Sequence, residues 1–256
     1  MNERVSNFFV DMGRLERPRR RVWVYLPPDY AGGSRRYPVL YMQDGQNLFD
    51  EAASFRGSWR VDEALDGLVR QGRGRAAIVV GIDNGRAERA SEYCPWDALD
   101  AAPRGRALAY ADFVALDLKP VVDNRYRTLP GREHTAVAGS SLGGLISLTI
   151  ALRHQGLFSR AGVLSPAFHF AREPVLKFVR MTPVVNSLRV YMDVGTDEGP
   201  RREEYLADAR AVDGLLAGKG LVRRKLVIDE GGVHHESAWG RRFPEAFRWL
   251  MESGRP

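Results

Sequence analysis

The chain has 256 residues, 44% of them hydrophobic and 27% charged, proportions of an ordinary soluble globular protein that exclude fibrous, disordered and membrane-embedded classes. Its net charge of +6 comes from arginines scattered along the chain, and the densest run, Arg14, Arg17, Arg19, Arg20 and Arg21, leads straight into an apparent strand. That run lacks the interleaved aromatics of a single-strand binder, so a solvated arginine-rich surface is expected, with no nucleic-acid partner.

The single cysteine, Cys94, excludes an intrachain disulfide and a cysteine zinc site. Met1 to Glu16 has no continuous apolar stretch of the kind a secretory signal needs, and no later segment approaches the ~18 apolar residues of a membrane span. A soluble cytoplasmic protein with no membrane partner is expected. A chain of this length can bury a large core, and α/β domains of this size often fold as one unit, so a single domain over 1–256 is the expectation.

In chain order, Val5 to Val10 and Arg21 to Leu26 read as strands, the second stopped by Pro27-Pro28-Asp29. Val39 to Met42 follows, entering the loop Gln43-Asp44-Gly45-Gln46-Asn47. Ala76 to Ile82 is a continuous apolar run broken by Asp83-Asn84-Gly85, the pattern of a central strand covered on both faces. Thr135 to Ala138, Arg160 to Leu164, Leu188 to Val194 and Leu221 to Ile228 read as further strands. Helical patterns lie at Val61 to Val69, Ala107 to Val122, Leu142 to Arg153, Arg202 to Ala217 and Arg242 to Met251. Early strands followed by strand-helix alternation predict an α/β fold, a mostly parallel sheet with helices on both faces. Active sites of such sheets lie beyond the carboxyl ends of the strands.

At one such end stands Gly139-Ser140-Ser141-Leu142-Gly143-Gly144, a G-x-S-x-G motif between an expected strand and an expected helix. This is the context of a nucleophile elbow: a sharp turn exposes Ser141, flanking glycines permit close backbone approach, and the helix start aims free N–H groups at a developing oxyanion. A serine hydroxyl needs an imidazole to take its proton, in the chain order Ser, acid, His. His134 precedes the elbow strand, His154 closes the elbow helix, and His169 has no acid before it in that order, which leaves His234 and His235 past the last strand. His234 is favoured; His235 then serves the surface or the substrate. The acid falls in Gly195-Thr196-Asp197-Glu198, where Glu198 takes the catalytic place and Asp197 is the alternative. The backbone N–H of Leu142 and that of Gln46, after the third strand, are the candidate oxyanion donors; the alternative is that Asp44-Gly45 is simply a turn.

Several motifs in order carry a family resemblance: Val24-Tyr25-Leu26-Pro27-Pro28-Asp29-Tyr30, Tyr41-Met42-Gln43-Asp44-Gly45-Gln46-Asn47, Gly81-Ile82-Asp83-Asn84-Gly85, the elbow, Asp193-Val194-Gly195-Thr196-Asp197-Glu198 and His234-His235-Glu236-Ser237. Over nearly its whole length the chain resembles the α/β-hydrolase family named Putative esterase, the group of esterase D-like, feruloyl and enterochelin-type esterases and mycolyltransferases. The resemblance implies an α/β-hydrolase fold without a large lid and a serine esterase acting on a small-molecule ester, with Ser141, His234 and Glu198 as its triad and no cofactor or metal. Many relatives carry Asp at the acid's position. Arg86, Arg89, Glu92, Tyr93 and Trp96 fall where arginine-containing segments of relatives line the substrate cleft, making Arg89 and Tyr93 candidate substrate contacts. A surface loop pinned by Arg89–Glu92 pairing is the alternative, and Trp59 and Trp239 are expected to wall the pocket or pack in the core. The span Ser165 to Ser187 is too short for a lid domain, which implies an open cleft. An acyltransferase with the same triad, or a catalytically silent binding member of the fold, are the competing readings.

Overall fold

The computed structural model describes residues 2–15, 19–54, 56–96 and 106–252, so Arg17 of the basic run lies outside it. Eight strands form one sheet in the order β1-β2-β4-β3-β5-β6-β7-β8. They are β1 (Val5–Asp11), β2 (Arg19–Tyr25), β3 (Val39–Gln43), β4 (Ile78–Ile82), β5 (Thr135–Ser140), β6 (Arg160–Leu164), β7 (Arg189–Asp197) and β8 (Arg224–Val233). The β1–β2 and β2–β4 pairs are antiparallel and the rest parallel, which makes this the mostly parallel sheet of an α/β-hydrolase fold.

Side chains of the central strands alternate between two apolar layers. Val39 and Tyr41 of β3 join one core with Val80, Val137, Tyr93, Tyr110 and Leu145, while Leu40 and Met42 join the other with Val79, Ala138, Leu65, Trp239 and Phe243. The first core is closed chiefly by α3 (Ala107–Asp112), α5 (Leu142–Arg153), α6 (Arg172–Met181) and α7 (Arg202–Gly218); the second by α1 (Val61–Arg70) and α8 (Glu236–Met251). Burial on both faces explains why β3, β4 and β5 read as unbroken apolar runs.

Three local departures from expectation have physical causes. The pattern Ala107 to Val122 forms α3, a π-helical segment Phe113–Leu118 and then α4 (Lys119–Arg125), with Pro120 just past the break. Proline offers no N–H to the preceding turn and its ring crowds the carbonyl four residues back, so the regular helix cannot run through. Helix α8 starts six residues before Arg242, because the His235 side chain accepts the Ser237 N–H and caps it. Its Gly240 lies where a Cβ would sit 2.8 Å from the Trp59 carbonyl oxygen, so a helix-weakening residue buys close packing. The segment after β4 is not a bare loop but holds the short helix α2 (Arg89–Tyr93).

The basic run is largely paired within the fold. Arg14 meets Asp117 at 2.7 Å, Arg21 meets Asp83 at 2.8 Å, and Arg20 forms a buried bidentate pair with Glu92. No helix among the described residues is long and apolar enough to cross a membrane.

Candidate active site

Strand β5 ends at Ser140 and α5 begins at Leu142, which leaves Ser141 alone on the corner. Its backbone has φ 57° and ψ −126°, a conformation that costs a residue with a Cβ about 1–3 kcal/mol. The corner persists because its hydrogen bonds over-determine it. The Ser141 N–H donates to Leu164 O at 3.0 Å, and the Ser141 carbonyl accepts from Gly144, Leu145 and Ala167. Gly139 is required by space: a Cβ there would lie 2.7 Å from Gly143 O and 2.8 Å from Gln43 Cγ.

Strands β7 and β8 are neighbours, so the residues that follow them emerge side by side. There His234 Nδ1 and Glu198 Oε2 stand 2.6 Å apart, with the Glu198 side chain wholly buried. Asp197 is exposed and belongs to the β7 ladder opposite Val233. His235 is spent on capping α8, bonding Ser237 at 2.9 Å. Of each neighbouring pair, then, Glu198 and His234 are the residues that meet.

Glu198 is further held by Ser165 Oγ at 2.5 Å and the Gly195 N–H at 2.7 Å, both donating to Oε1. Burial raises the Glu198 carboxyl, but the hydrogen bonds from His234, Ser165 and Gly195 outweigh it and hold the group below its ordinary value. The glutamate therefore stays ionised against the imidazole.

An aromatic wall surrounds His234. Trp239 stands edge-on to it at 4.9 Å, and Tyr205 of α7 lies 4.9 Å away on the other side, with His169 stacked edge-on to Tyr205 at 4.6 Å. The Tyr205 hydroxyl faces the Ser141 side chain, and burial pushes the phenol up to about 12, so it remains protonated through neutral pH. Trp59 and Trp239 pair at 5.9 Å, so Trp239 serves both core and site. Tyr205 and Ser165 were missed from sequence because nothing near either forms a motif; only the fold brings them to the side of His234 and Glu198. His169, set aside as a base, stands against Tyr205 instead.

Because β3 lies beside β5, the loops after them are adjacent. Among the described residues, the N–H groups of Gln46 and Leu142 have no hydrogen-bond partner, whereas Asn47 N–H bonds Asp44 O and Gly144 N–H bonds Ser141 O. Asp44 is not a mere turn residue. In a left-handed conformation (φ 56°), its carboxylate takes Arg89 Nε at 2.7 Å and Nη2 at 2.8 Å, together with Asn84 Nδ2 at 2.6 Å. The Gln46 side chain is itself pinned by the Asn84 N–H at 3.1 Å.

Arg89 pairs with Asp44 and Glu92 with Arg20, which replaces the expected Arg89–Glu92 pairing. The Arg89 side chain keeps about a quarter of its surface open (27%), and among the described residues its hydrogen bonds to Asp44 use Nε and Nη2. Tyr93 corrects the expectation of a substrate contact. It is fully buried, stacks on Tyr110, and accepts the Asp44 N–H at 3.2 Å, so it supports the loop from beneath. Trp96 packs on Phe178 instead. No set of three or more His, Cys, Asp or Glu side chains among the described residues is placed to hold a metal ion.

The model of the family described as Putative esterase matches residues 14–250. The chain belongs to that family. It is a carboxylic ester hydrolase of the α/β-hydrolase fold. The chain is 27% identical to the uncharacterised protein YbbA of Bacillus subtilis (strain 168) over 248 residues, covering 92% of this chain and 94% of that one. Among solved structures, the BES protein of Bacillus cereus superposes with a TM-score of 0.78 at 20% identity, over 99% of this chain and 97% of the other. A ferulic acid esterase does so with a TM-score of 0.73 at 18% identity, over 96% and 97%. At these identities the two structures establish the fold alone.

Proposed function

We propose that this esterase works by two-step acyl transfer through an acyl-enzyme on Ser141, with His234 as general base and acid and Glu198 as its orienting carboxylate. The observation that carries the reading is the Glu198–His234 hydrogen bond of 2.6 Å, formed at the same carboxyl edge of the parallel strands as a serine held on a strained strand-to-helix corner.

Glu198 accepting at Nδ1 keeps the proton on that nitrogen and leaves Nε2 basic. His234 then removes the Ser141 proton as Oγ attacks the ester carbonyl. The free N–H groups of Gln46 and Leu142 receive the oxyanion, each such donor contributing about 3 kcal/mol to the transition state. The imidazolium, stabilised by Glu198, returns the proton to the leaving alcohol, and water repeats the sequence to release the acid. The part-exposed Arg89 guanidinium suits a substrate with a carbonyl-rich or anionic acyl part, and the aromatic wall of Trp239, Tyr205 and His169 suits an aromatic one. A feruloyl group matches the aromatic part of this description, and a structure of the same fold is named a ferulic acid esterase.

Ser141→Ala is the direct test, because the side chain is half-buried and its loss leaves the corner's backbone bonds in place. Hydrolysis of p-nitrophenyl acetate should fall by more than about a thousandfold at unchanged Tm. Undiminished turnover would remove Ser141 from the mechanism.

A further inference from the structure

We propose that Ser165, at the turn after β6, is a positioning residue for the reaction, whose hydroxyl fixes the Glu198 carboxylate and through it the orientation of His234. The inference rests on the triad reading above.

A hydroxyl donates one hydrogen bond and accepts two. Ser165 Oγ accepts from Arg242 Nη2 at 2.7 Å and from Trp239 Nε1 at 3.0 Å. Both lone pairs are then occupied, and the single proton has one place to go, Glu198 Oε1 at 2.5 Å. A serine normally rotates to suit its surroundings; this one is locked, and it points its proton at the triad's acid. The Gly195 N–H meets the same oxygen at 2.7 Å, so Oε1 is saturated and Oε2 is presented to His234.

The backbone supports the same conclusion. Ser165 is wholly buried at φ 38°, in the left-handed region where glycine would be relaxed. Its N–H donates to Asp193 O at 2.8 Å, which ties β6 to β7 at the level of the acid. The chain thus keeps a Cβ and its hydroxyl at a position whose backbone favours having neither.

The donors come from α8, the helix that His235 caps immediately after His234. Base, cap and both donors into Ser165 therefore belong to one continuous stretch, 234–242. The acid is linked to the base twice, directly at Nδ1 and indirectly through Ser165. Other charged or titratable groups facing Glu198 are Arg242 from α8 at 3.9 Å, Asp193 from β7, Tyr205 from α7, and Asp229 of β8 behind Arg242 at 3.2 Å.

Ser165→Gly removes the hydroxyl while relaxing the backbone. Losing a hydrogen bond to a charged group, worth about tenfold in an equilibrium, should lower kcat about tenfold with KM within about twofold. The acid limb of the pH–rate profile should move to higher pH, since a carboxylate with one donor fewer holds the His234 proton more tightly. A variant with wild-type kcat and an unmoved acid limb overturns the proposal, whatever its Tm; a purely structural serine would change Tm alone. Should Ser165→Gly fail to fold, Trp239→Phe frees one lone pair of the hydroxyl. It should shift the limb in the same direction by less, and an unmoved limb again refutes the idea. Glu198→Gln separates the two readings. If that variant is crippled while Ser165→Gly is not, only the positioning role falls; if Glu198→Gln keeps full turnover, the triad falls with it.

Discussion

Replacing Gly45 by alanine tests whether the loop after β3 delivers an oxyanion donor. Gly45 opens the turn Gly45–Asn47, and a Cβ built there would stand 2.6 Å from Gly81 C, 2.7 Å from Gly81 O and 2.8 Å from Ile82 N. All three atoms are backbone of β4, a strand paired on both sides and unable to step back. The conformation of Gly45 is not left-handed, so the penalty is purely one of space. Ordinary contact begins near 3.4 Å, so the loop must rise by roughly 0.8 Å, the difference between 3.4 and 2.6 Å, and Gln46 rises with it. Displacement on the scale of 1 Å costs on the order of a hundredfold in rate when it moves a group that acts on the transition state. We therefore expect kcat for a short-chain p-nitrophenyl ester to fall about 10- to 100-fold. Overpacking of this kind costs about 1–3 kcal/mol, which lowers Tm by several degrees in a chain of this size. Labelling of Ser141 by a fluorophosphonate should slow in parallel, since phosphonylation uses the same donors. Wild-type kcat alongside a lowered Tm would show that the loop moved and the chemistry did not notice, and Gln46 would lose its role.

Two further outcomes follow from groups around the His234–Glu198 pair. Tyr205→Phe removes the hydroxyl that faces Ser141 while keeping the ring against His234, and kcat/KM should fall about fivefold to tenfold, the weight of one neutral hydrogen bond made during the reaction; full activity would make Tyr205 a wall and nothing more. Burial raises the Asp193 carboxyl from 3.8 to about 7 against the pull of Arg242, so the native state keeps a proton that the unfolded chain has lost, and stability falls as pH rises from about 4 to about 7, by up to about 4 kcal/mol. Asp193→Asn mimics the protonated acid, so its Tm should match wild type at pH 4 and exceed it by several degrees at pH 8; a lower Tm at pH 8 would mean that the ion pair with Arg242 stabilises the ionised form.

What could be read from the sequence is what is local. The nucleophile corner announces itself because strand, glycines, serine and helix are contiguous, and α5 runs over the expected Leu142–Arg153. Glu198 and His234 could be narrowed to neighbouring pairs because each follows a strand. Within each pair the motifs favour Glu198 and His234, while what turns Asp197 and His235 elsewhere, the β7 ladder and the α8 cap, shows only in the side chains. Arg89 and Glu92 share one short helix and suggested a mutual pair, yet each finds an acid or base on another strand end, 45 and 72 residues away. Tyr93 lay in a correctly located segment but on its inward side, a distinction that a five-residue helix is too short to encode as periodicity. Ser165 is joined to Trp239 and Arg242 across 74 and 77 residues, and no spacing rule relates them.

The buried charges beneath His234 show why one carboxylate among three serves as its partner. Arg242 stands 3.2 Å from Asp229, 3.4 Å from Asp193 and 3.9 Å from Glu198, and a single guanidinium cannot neutralise all three in a site shielded from water. Asp229 is also met by Arg241 from the open side, at 2.5 Å. Glu198 has three donors of its own in His234, Ser165 and Gly195. Asp193 has no hydrogen bond to either carboxylate oxygen, so it is the acid for which a proton costs least, as its elevated value reflects. Below about pH 7 Asp193 is mostly protonated, so Glu198 there faces one fewer negative neighbour and retains its charge against His234. Ionising Asp193 would add repulsion between two carboxylates that share Arg242 and favour protonating Glu198, which would weaken its hold on the His234 imidazole.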